Sequence, residues 1–297
     1  MKADRPSGTA LVTALARAAE RQREPHRRIV DDPFAPAVVH AAGLGVLDEA
    51  SPLLHALADA TAMGMATFCV ARHRALDDWM LAALERGEVS QVVNLGSGYD
   101  ARAWRLAGRL GTTPWFEVDH PATHARKKEV FAEAVAGAEP SKGYRSVAVD
   151  FEKDDLLARL VEAGLDRAKA TFFLWEGVTY YLEPATVLAT FATIARGCGP
   201  GTRVGFDFWD PKGGARLKDI YRRALVKVSP RLIAEPLKTV LKKTELAATL
   251  RRVGLTLETI LDGPALSRAT GAKGRPIYPD FPLGLAVRAP LPDEDAR

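Results

Sequence analysis

The spacing of hydrophobic positions changes near residue 90 of this chain. Before that point Ala, Leu, Arg and Glu dominate and β-branched residues are few, which predicts helices over 9–24, 35–42 and 52–86. After it, short apolar runs alternate with longer stretches of mixed polarity. Strands separated by helices of this length are typical of a doubly wound, parallel α/β sheet of the Rossmann-like kind.

This alternating part predicts seven strands and the helices between them. A stretch rich in Gly and Pro, 263–282, is interpreted as a loop, so that the last two strands can form a hairpin that closes the sheet edge, with the last strand antiparallel. The expected strands are 91–95, 115–119, 144–150, 171–177, 202–208, 255–261 and 283–289. The expected helices are 121–136, 153–163, 184–196 and 243–253.

We expect the 297 residues to form one domain with four parts. A helical cap (1–88) precedes the sheet core (89–208), a basic, mixed helical insertion (209–242) follows it, and a helix with the closing hairpin (243–297) ends the chain. No internal repeat or low-complexity tract interrupts this organisation.

Composition indicates an ordinary globular protein. Hydrophobic residues make up 47% and charged residues 26%, and the net charge of +4 does not imply binding to nucleic acid or to a membrane. The two cysteines, Cys69 and Cys198, are too few for a disulfide framework or a zinc site and are typical of a reducing compartment. With no membrane-length apolar run and no apolar leader at the N-terminus, we expect a cytoplasmic protein without a metal centre.

A glycine turn follows the first expected strand. Gly96 and Gly98 form, with Ala101, the pattern G-x-G-x-x-A, in which glycine lets the backbone approach a ligand closely. Asp119 stands 21 residues after Gly98, at the end of the second strand, where a carboxylate can accept hydrogen bonds from both ribose hydroxyls. Glu117 lies on the same face of that strand, but the terminal position favours Asp119.

Two further acids end the third and fourth strands. Asp150 could accept a hydrogen bond from an adenine amino group, with Phe151 beside it, or it could cap the helix expected over 153–163. Glu176 follows the apolar run FFLW, and a charge there requires a partner at the carboxyl edge of the sheet, where ligands bind in such folds. Together these strand ends indicate an adenosine-containing ligand, without distinguishing NAD from S-adenosylmethionine.

Six segments, taken in order, resemble those of a known family. DDPFA, VARHRALDD, VVNLGSGYDARAWRL, WFEVDHP, VAVDF and FFLWEGVTYYLEP follow one another between residues 30 and 210. They resemble the leucine carboxyl methyltransferase family, which includes class I S-adenosylmethionine-dependent O-methyltransferases with a seven-stranded sheet. The chain departs from the family at His73, where threonine is usual, at Phe151, where leucine is usual, and at Trp175, where a smaller residue is common.

The resemblance implies a set of cofactor-binding residues. Arg72 would hold the methionine carboxylate, although a salt bridge to Asp77 or Asp78 on the same helix is an alternative. Glu176 would face the methionine amino group or the reacting end. The glycines would pass beneath S-adenosylmethionine, Asp119 would hold its ribose, and Asp150 and Phe151 would contact its adenine. The family also uses a basic residue near the N-terminus, and the candidates are Arg17, Arg21 and Arg23.

The reaction implied is methyl transfer to an oxygen of a small molecule of the natural-product type, as in the bacterial small-molecule branch of the family. A carboxylate acceptor needs no base, whereas a phenol or alcohol benefits from one, and His120, His124 and Tyr180 are the candidates. Each also has a structural alternative, as a turn residue, a solvated helix residue and a core residue respectively. A nicotinamide-dependent oxidoreductase and a non-catalytic S-adenosylmethionine-binding scaffold are the competing classes.

The insertion is expected to act as a positive lid over the acceptor. Such a lid would favour an anionic acceptor, although a solvated helix face is an equal alternative. The basic residues concerned are Lys212, Arg216, Lys218, Arg222, Arg223, Lys227 and Arg231.

Overall fold

The structure, a computed structural model, describes residues 8–44, 63–211 and 236–288. Seven strands in these ranges are β1 (Gln91–Leu95), β2 (Trp115–Asp119), β3 (Tyr144–Ala148), β4 (Thr171–Trp175), β5 (Arg203–Asp207), β6 (Thr256–Leu261) and β7 (Leu283–Val287). They form one sheet in the order β3-β2-β1-β4-β5-β7-β6. Strands β1 to β5 pair in parallel, and β7 runs antiparallel between β5 and β6. The predicted sheet with an antiparallel last strand is therefore confirmed, with β6 at its edge.

Helices cover both faces of this sheet and the N-terminal part of the chain. The α-helices are α1 (Gly8–Arg21), α2 (Ala35–Val39), α3 (Met65–Glu85), α4 (Arg102–Arg105), α5 (Ala107–Leu110), α6 (Pro121–Ala134), α7 (Leu156–Glu162), α8 (Pro184–Gly197), α9 (Leu246–Arg252) and α10 (Gly263–Thr270). Short 3₁₀ turns occupy Pro25–Arg27 and Thr179–Tyr181, and a π turn occupies His40–Leu44.

The connection between the last two strands differs from the prediction. The first part of the expected loop is helix α10, which begins after Asp262, whose side chain accepts a hydrogen bond from the backbone N–H of Ala265 at 3.3 Å. The helix ends at Gly271, which adopts a left-handed φ of 72°. An Asp cap, a proline in the first turn and a closing glycine are standard helix signals, and the glycine and proline were misread as signs of a loop.

Several predicted boundaries also shift. Strands β3 and β4 end at Ala148 and Trp175, two residues earlier than expected, so that Asp150 and Glu176 lie in the loops just beyond them. The expected helix start at 52 and the lid residues 212–235 lie outside the described residues. The described flanks of the lid, 209–211 and 236–242, contain no helix.

Both faces of the central strands are buried. In β1, Val92 packs with residues of α3 on one face, while Val93 packs in a second hydrophobic cluster on the other, and both are fully buried. In a parallel sheet covered on both faces, each strand appears in the sequence as a continuous apolar run. This is why QVVNL and TFFLW can be recognised as strands.

The N-terminal helices close over the carboxyl edge of the sheet. Helix α1 packs so tightly on the glycine turn that a Cβ atom at Gly98 would lie 2.7 Å from Cβ of Ala10. Two hydrogen bonds of 2.8 Å from Arg275 to the buried carboxylate of Glu20 join α1 to the segment between α10 and β7. The cap and the C-terminal segment thus enclose the same edge from two sides.

Candidate active site

A cavity of about 430 Å³ opens along the carboxyl edge of the sheet. Parallel strands place their C-terminal ends at one edge, and the loops that follow them converge there. All nine residues singled out from the sequence as cofactor-binding residues or leading base candidates line this cavity: Arg72, Gly96, Gly98, Asp119, His120, Asp150, Phe151, Glu176 and Tyr180.

The glycine turn is constrained by the chain's own packing. Gly96 adopts a φ of 67°, and a Cβ atom there would lie 2.4 Å from Cγ2 of Val178. Gly98 has a φ of 49° and is crowded by α1. Both positions require glycine for backbone conformation and for close approach, which keeps the backbone of the turn at the cavity wall.

Asp119 is a buried acid held by two backbone groups. Its Oδ2 accepts from the N–H of Gly98 at 2.5 Å, and its Oδ1 accepts from the N–H of His120 at 2.7 Å. Burial raises the pKa of Asp119 to about 6, although these hydrogen bonds act to lower it. Glu117, the alternative on the same strand, is bound by Lys127 at 2.6 Å and does not line the cavity. The structure therefore distinguishes the two acids.

Asp150 belongs to a turn and does not cap the next helix. Its Oδ1 accepts from the N–H of Glu152 at 3.0 Å, and Lys153 forms an ion pair with it at 2.9 Å. The cap of α7 is Asp155, whose Oδ1 accepts from two backbone N–H groups of that helix. The N-cap alternative for Asp150 is therefore wrong, and half-buried Phe151 lies beside it on the cavity wall.

Arg72 is buried between two carboxylates. Its Nε donates to Glu176 Oε1 at 3.0 Å, and its Nη1 donates to Asp207 Oδ2 at 2.6 Å. The alternative of a salt bridge to Asp77 or Asp78 is wrong, because those acids pair with other arginines. The two carboxylates orient the guanidinium at the boundary between β4 and β5.

Glu176, which follows the apolar strand β4, has the charged partners that a carboxylate at this position requires. It accepts from Arg72, from Arg102 at 2.8 Å and from His73 at 3.1 Å. Burial acts to raise the pKa of Glu176, but His73, Arg102 and Arg72 hold it well below its usual range. Glu176 is therefore an ionised carboxylate in the cavity wall.

His73 links Glu176 to a further arginine. Burial and the nearby Arg102 lower the pKa of His73, so the imidazole is neutral at pH 7. Its Nδ1 lies 3.1 Å from Glu176, and its Nε2 lies 3.2 Å from Nη2 of Arg105. These partners assign the proton to Nδ1 and the acceptor role to Nε2.

Arg102 was missed in the sequence, although it organises the network behind the cavity. It is fully buried and donates to Asp77 at 2.6 Å, to Asp100 at 2.5 Å and to Glu176 at 2.8 Å. An arginine in the first turn after the glycine pattern is its signal in the sequence. His73, Asp100 and Glu176 bring potential metal-ligand atoms within 4.8 Å of one another. The Arg102 guanidinium already pairs with both acids, and a metal ion would have to displace it.

The three N-terminal arginines occupy different environments. Arg17 lines the cavity and is buried, with hydrogen bonds of 2.8 Å to Asp32 and to the carbonyl oxygen of Tyr99. Arg21 and Arg23 form ion pairs with acids of the cap and do not line the cavity. The geometry thus selects Arg17 as the basic residue that can reach a ligand.

The base candidates are already engaged by the protein. His120 accepts from the N–H of Ala122 at Nδ1, and its Nε2 lies 3.7 Å from Asp150, beside the residues expected to bind adenosine. Burial and the carboxylate of Asp207 hold the pKa of Tyr180 well above its usual value, so Tyr180 is a hydrogen-bond donor and not a base at neutral pH. His124 bonds to Ser146 and does not line the cavity.

Comparison with known proteins identifies the family of the chain. A family model described as leucine carboxyl methyltransferase matches residues 10–195, and the chain belongs to that family. A protein of Parafrankia sp. is 37% identical over 208 residues, which is 69% of this chain and 63% of that protein. A protein of Mycolicibacterium smegmatis is 38% identical over 207 residues, 67% of this chain and 65% of its own length. Both are provisionally named S-adenosyl-L-methionine-dependent methyltransferases, and the matched part spans less than two thirds of each.

Solved structures share the fold. A DUF574 family protein from Streptomyces avermitilis matches with a TM-score of 0.58 at 12% identity, covering 86% of this chain and 96% of that one. A protein from Thermobifida fusca, provisionally described as a methyltransferase, matches with a TM-score of 0.55 at 11% identity over 96% of both chains. At these identities the match concerns the fold alone.

None of the helices within residues 8–44, 63–211 and 236–288 combines the length and the apolar composition that crossing a bilayer requires.

Proposed function

We propose that this protein is an S-adenosylmethionine-dependent methyltransferase that methylates a carboxylate or hydroxyl oxygen of a small, natural-product-type molecule. Membership of the leucine carboxyl methyltransferase family supports this reaction. Free, buried Cys69 and Cys198 support a cytoplasmic location, where thiols stay reduced.

The charge of the cavity wall is the observation that carries the proposal. Among the described residues that line the cavity, six are carboxylates and three are Lys or Arg. S-adenosylmethionine is a cation, because its sulfonium and amino groups outweigh its carboxylate. An excess of carboxylates in the cavity wall stabilises a cationic ligand and opposes the pyrophosphate of a dinucleotide.

The strand ends then have distinct roles. Asp119, which lines the cavity and whose charge is destabilised by burial, would gain two hydrogen bonds from the ribose hydroxyls. Asp150 and Phe151, beyond the neighbouring strand β3, would contact the adenine. Glu176 would attract the methionine amino group across the glycine turn.

The methionine carboxylate would lie between Arg17 and Arg72, the two arginines of the cavity wall. Each already holds acids of the protein, which fixes its guanidinium in place before a ligand arrives. The bound cofactor supplies an activated methyl group, and the protein's residues fix its orientation against the acceptor oxygen. Orientation of this kind can supply about 7–11 kcal/mol of barrier reduction.

The sheet topology favours this reading over an NAD-dependent oxidoreductase. The classic dinucleotide-binding order is 3-2-1-4-5-6 with parallel strands. Here β7 is inserted antiparallel between β5 and β6. The topology and the acidic cavity thus support the same class of ligand.

Calorimetry with S-adenosylmethionine, S-adenosylhomocysteine and NAD tests the ligand class. We expect the first two to bind in the micromolar range and NAD to bind at least tenfold more weakly; NAD binding without S-adenosylmethionine binding would refute the proposal. Methyl transfer from labelled cofactor to a panel of carboxylic acids and phenols tests the reaction. Cofactor binding without transfer to any acceptor would leave the scaffold as the better description.

A further inference from the structure

The cavity extends beyond the residues assigned to the cofactor. In sheet order, the cofactor residues follow β3, β2, β1 and β4, and the cavity continues past β5 to the segment before β7. We call this continuation the acceptor half. It is lined by the first turns of α3, residues 180–182, Trp209, residues 236–237, Tyr278, Asp280 and Phe281.

Aromatic rings form the wall of the acceptor half. Phe281 is at its centre, with ring centroids 4.8 Å from Tyr180, 5.7 Å from Tyr278 and 5.7 Å from Phe68. The Phe68 and Phe281 rings are stacked with planes 29° apart. All four residues line the cavity, and their side chains are largely buried by the surrounding protein. Rigid aromatic surfaces of this kind favour a flat ligand that can stack on them.

One carboxylate interrupts this apolar wall. Among the described residues that line the acceptor half, Asp280 is the one carboxylate, and it is 3% exposed. The Arg72 guanidinium borders this half, 5.1 Å from the centroid of the Phe68 ring, but it is already paired with Glu176 and Asp207. Tyr278 is hydrogen-bonded to it, and burial together with this carboxylate raises the pKa of Tyr278 to about 12. Tyr278 therefore stays protonated and donates to the Asp280 carboxylate, which can accept more than one hydrogen bond.

This arrangement discriminates between the two acceptor chemistries. A carboxylate acceptor would bring a second negative charge beside Asp280 in a desolvated site, which is unfavourable. A hydroxyl acceptor would instead donate a hydrogen bond to Asp280. The sequence predicts the opposite, an anionic acceptor, because of the basic residues in the insertion. Those residues lie within 212–235, outside the described part of the chain.

We propose that the acceptor is an uncharged, planar aromatic molecule bearing a hydroxyl group, and that Asp280 is the base that receives the hydroxyl proton. The proposal rests on the proposed function. As the acceptor oxygen forms its bond to the methyl carbon, the carbon–sulfur bond breaks and its electron pair stays on sulfur. The hydroxyl proton moves to Asp280, so the products are the methyl ether, the neutral thioether and a protonated carboxyl group.

A matched pair of ligands tests the charge of the acceptor without turnover. 2-Naphthol and 2-naphthoate share a ring system and differ in the oxygen group. Calorimetric titration of each into wild-type protein saturated with S-adenosylhomocysteine is expected to give at least tenfold tighter binding of 2-naphthol. Equal affinity, tighter binding of 2-naphthoate, or no binding of 2-naphthol overturns the proposal.

The variant Asp280→Asn tests the base. We expect it to lower kcat for 2-naphthol by about 10²–10⁴-fold, with S-adenosylhomocysteine affinity changed less than about threefold. Because 4-nitrophenol is ionised at pH 8.5, its methylation should not fall in the variant, since no proton has to be removed and a repelling charge is lost. An equal loss for both phenols indicates a merely structural role and overturns the assignment, as does failure of the wild type to methylate any hydroxylated aromatic.

Two controls complete the design. Asp78→Asn changes an acid on the exposed surface of α3, paired with Arg74, and should leave both activities unchanged. Tyr278→Phe removes the neighbouring hydroxyl and should cost less than Asp280→Asn, because the carboxylate remains. If the wild type binds no S-adenosylhomocysteine, the proposed function itself fails, and this result is distinct from a failure of Asp280.

Discussion

Arg72 and Glu176, which are 104 residues apart in the chain, meet in a buried ion pair with 3.0 Å between Nε and Oε1. The same guanidinium also binds Asp207, at the end of β5. One side chain from the N-terminal cap thus holds the ends of two adjacent strands. The cap and the sheet are joined at the centre of the candidate active site.

Arg72→Ala should destabilise the protein strongly. Removing the guanidinium leaves Glu176 and Asp207 with a lost partner in a buried site, and breaking such a pair costs about 3–5 kcal/mol. Arg74→Ala on the same helix is the control, since its pair with Asp78 is about half exposed and should contribute less than about 1 kcal/mol. Urea unfolding measures both, and equal effects would contradict the structural role of Arg72.

Cofactor affinity should depend on pH through Asp119. Its pKa of about 6 means that the ligand-free protein binds a proton there below pH 6. The carboxylate is the better acceptor for ribose hydroxyls, so binding should release this proton, and affinity should fall as the pH drops from about 7 to 5. Glu176 does not titrate in this range, because its pKa is held well below its usual value.

Asp119→Asn is the control for this pH dependence. We expect calorimetry with S-adenosylhomocysteine to show weaker binding, by about 1–3 kcal/mol, and a flatter profile between pH 5 and 7. A variant that keeps the full slope would assign the titration to another group.

Gly98→Ala tests the close packing of α1 on the glycine turn. The new Cβ would lie 2.7 Å from that of Ala10, so we expect a loss of about 1–3 kcal/mol from overpacking in addition to backbone strain. Gly87→Ala is matched in conformation, with a φ of 68°, but has nothing within 4 Å. The difference in free energy of unfolding between the variants isolates the packing against α1, and equal losses would argue against the contact.

Variants of Asp150 and Asp155 should have different effects, the first on cofactor affinity and the second on the stability of the protein. Asp150→Ala should weaken the binding of S-adenosylhomocysteine by about 0.5–1.5 kcal/mol, because a hydrogen bond to the adenine is lost. Asp155→Ala removes the cap of α7 and should lower the free energy of unfolding by about 1 kcal/mol without changing affinity. Calorimetry and urea unfolding of both variants check this, and an affinity loss confined to Asp155→Ala would reverse the assignment.

The positions at strand ends were the most predictable part of the site. Asp119 and Glu176 each follow a short apolar run, and parallel strands bring such ends to one edge whatever the intervening helices do. The partners of these acids were harder to predict from the sequence. For Arg72, the expected salt bridge on its own helix is wrong, since it pairs with Glu176 and Asp207, and its binding to a ligand stays a prediction.

The sequence alone determined the order of the strands, the antiparallel final strand and the acids at or just after the ends of β2, β3 and β4. These features follow from local periodicity and turn residues, which act over a few positions. Tertiary structure alone decided that Glu117 is bound by Lys127 while Asp119 faces the cavity, that Arg17 reaches it, and that Asp280 enters an aromatic wall. Burial and ion pairing depend on residues that are distant in sequence, so one strand's pattern could not choose among equivalent acids and bases.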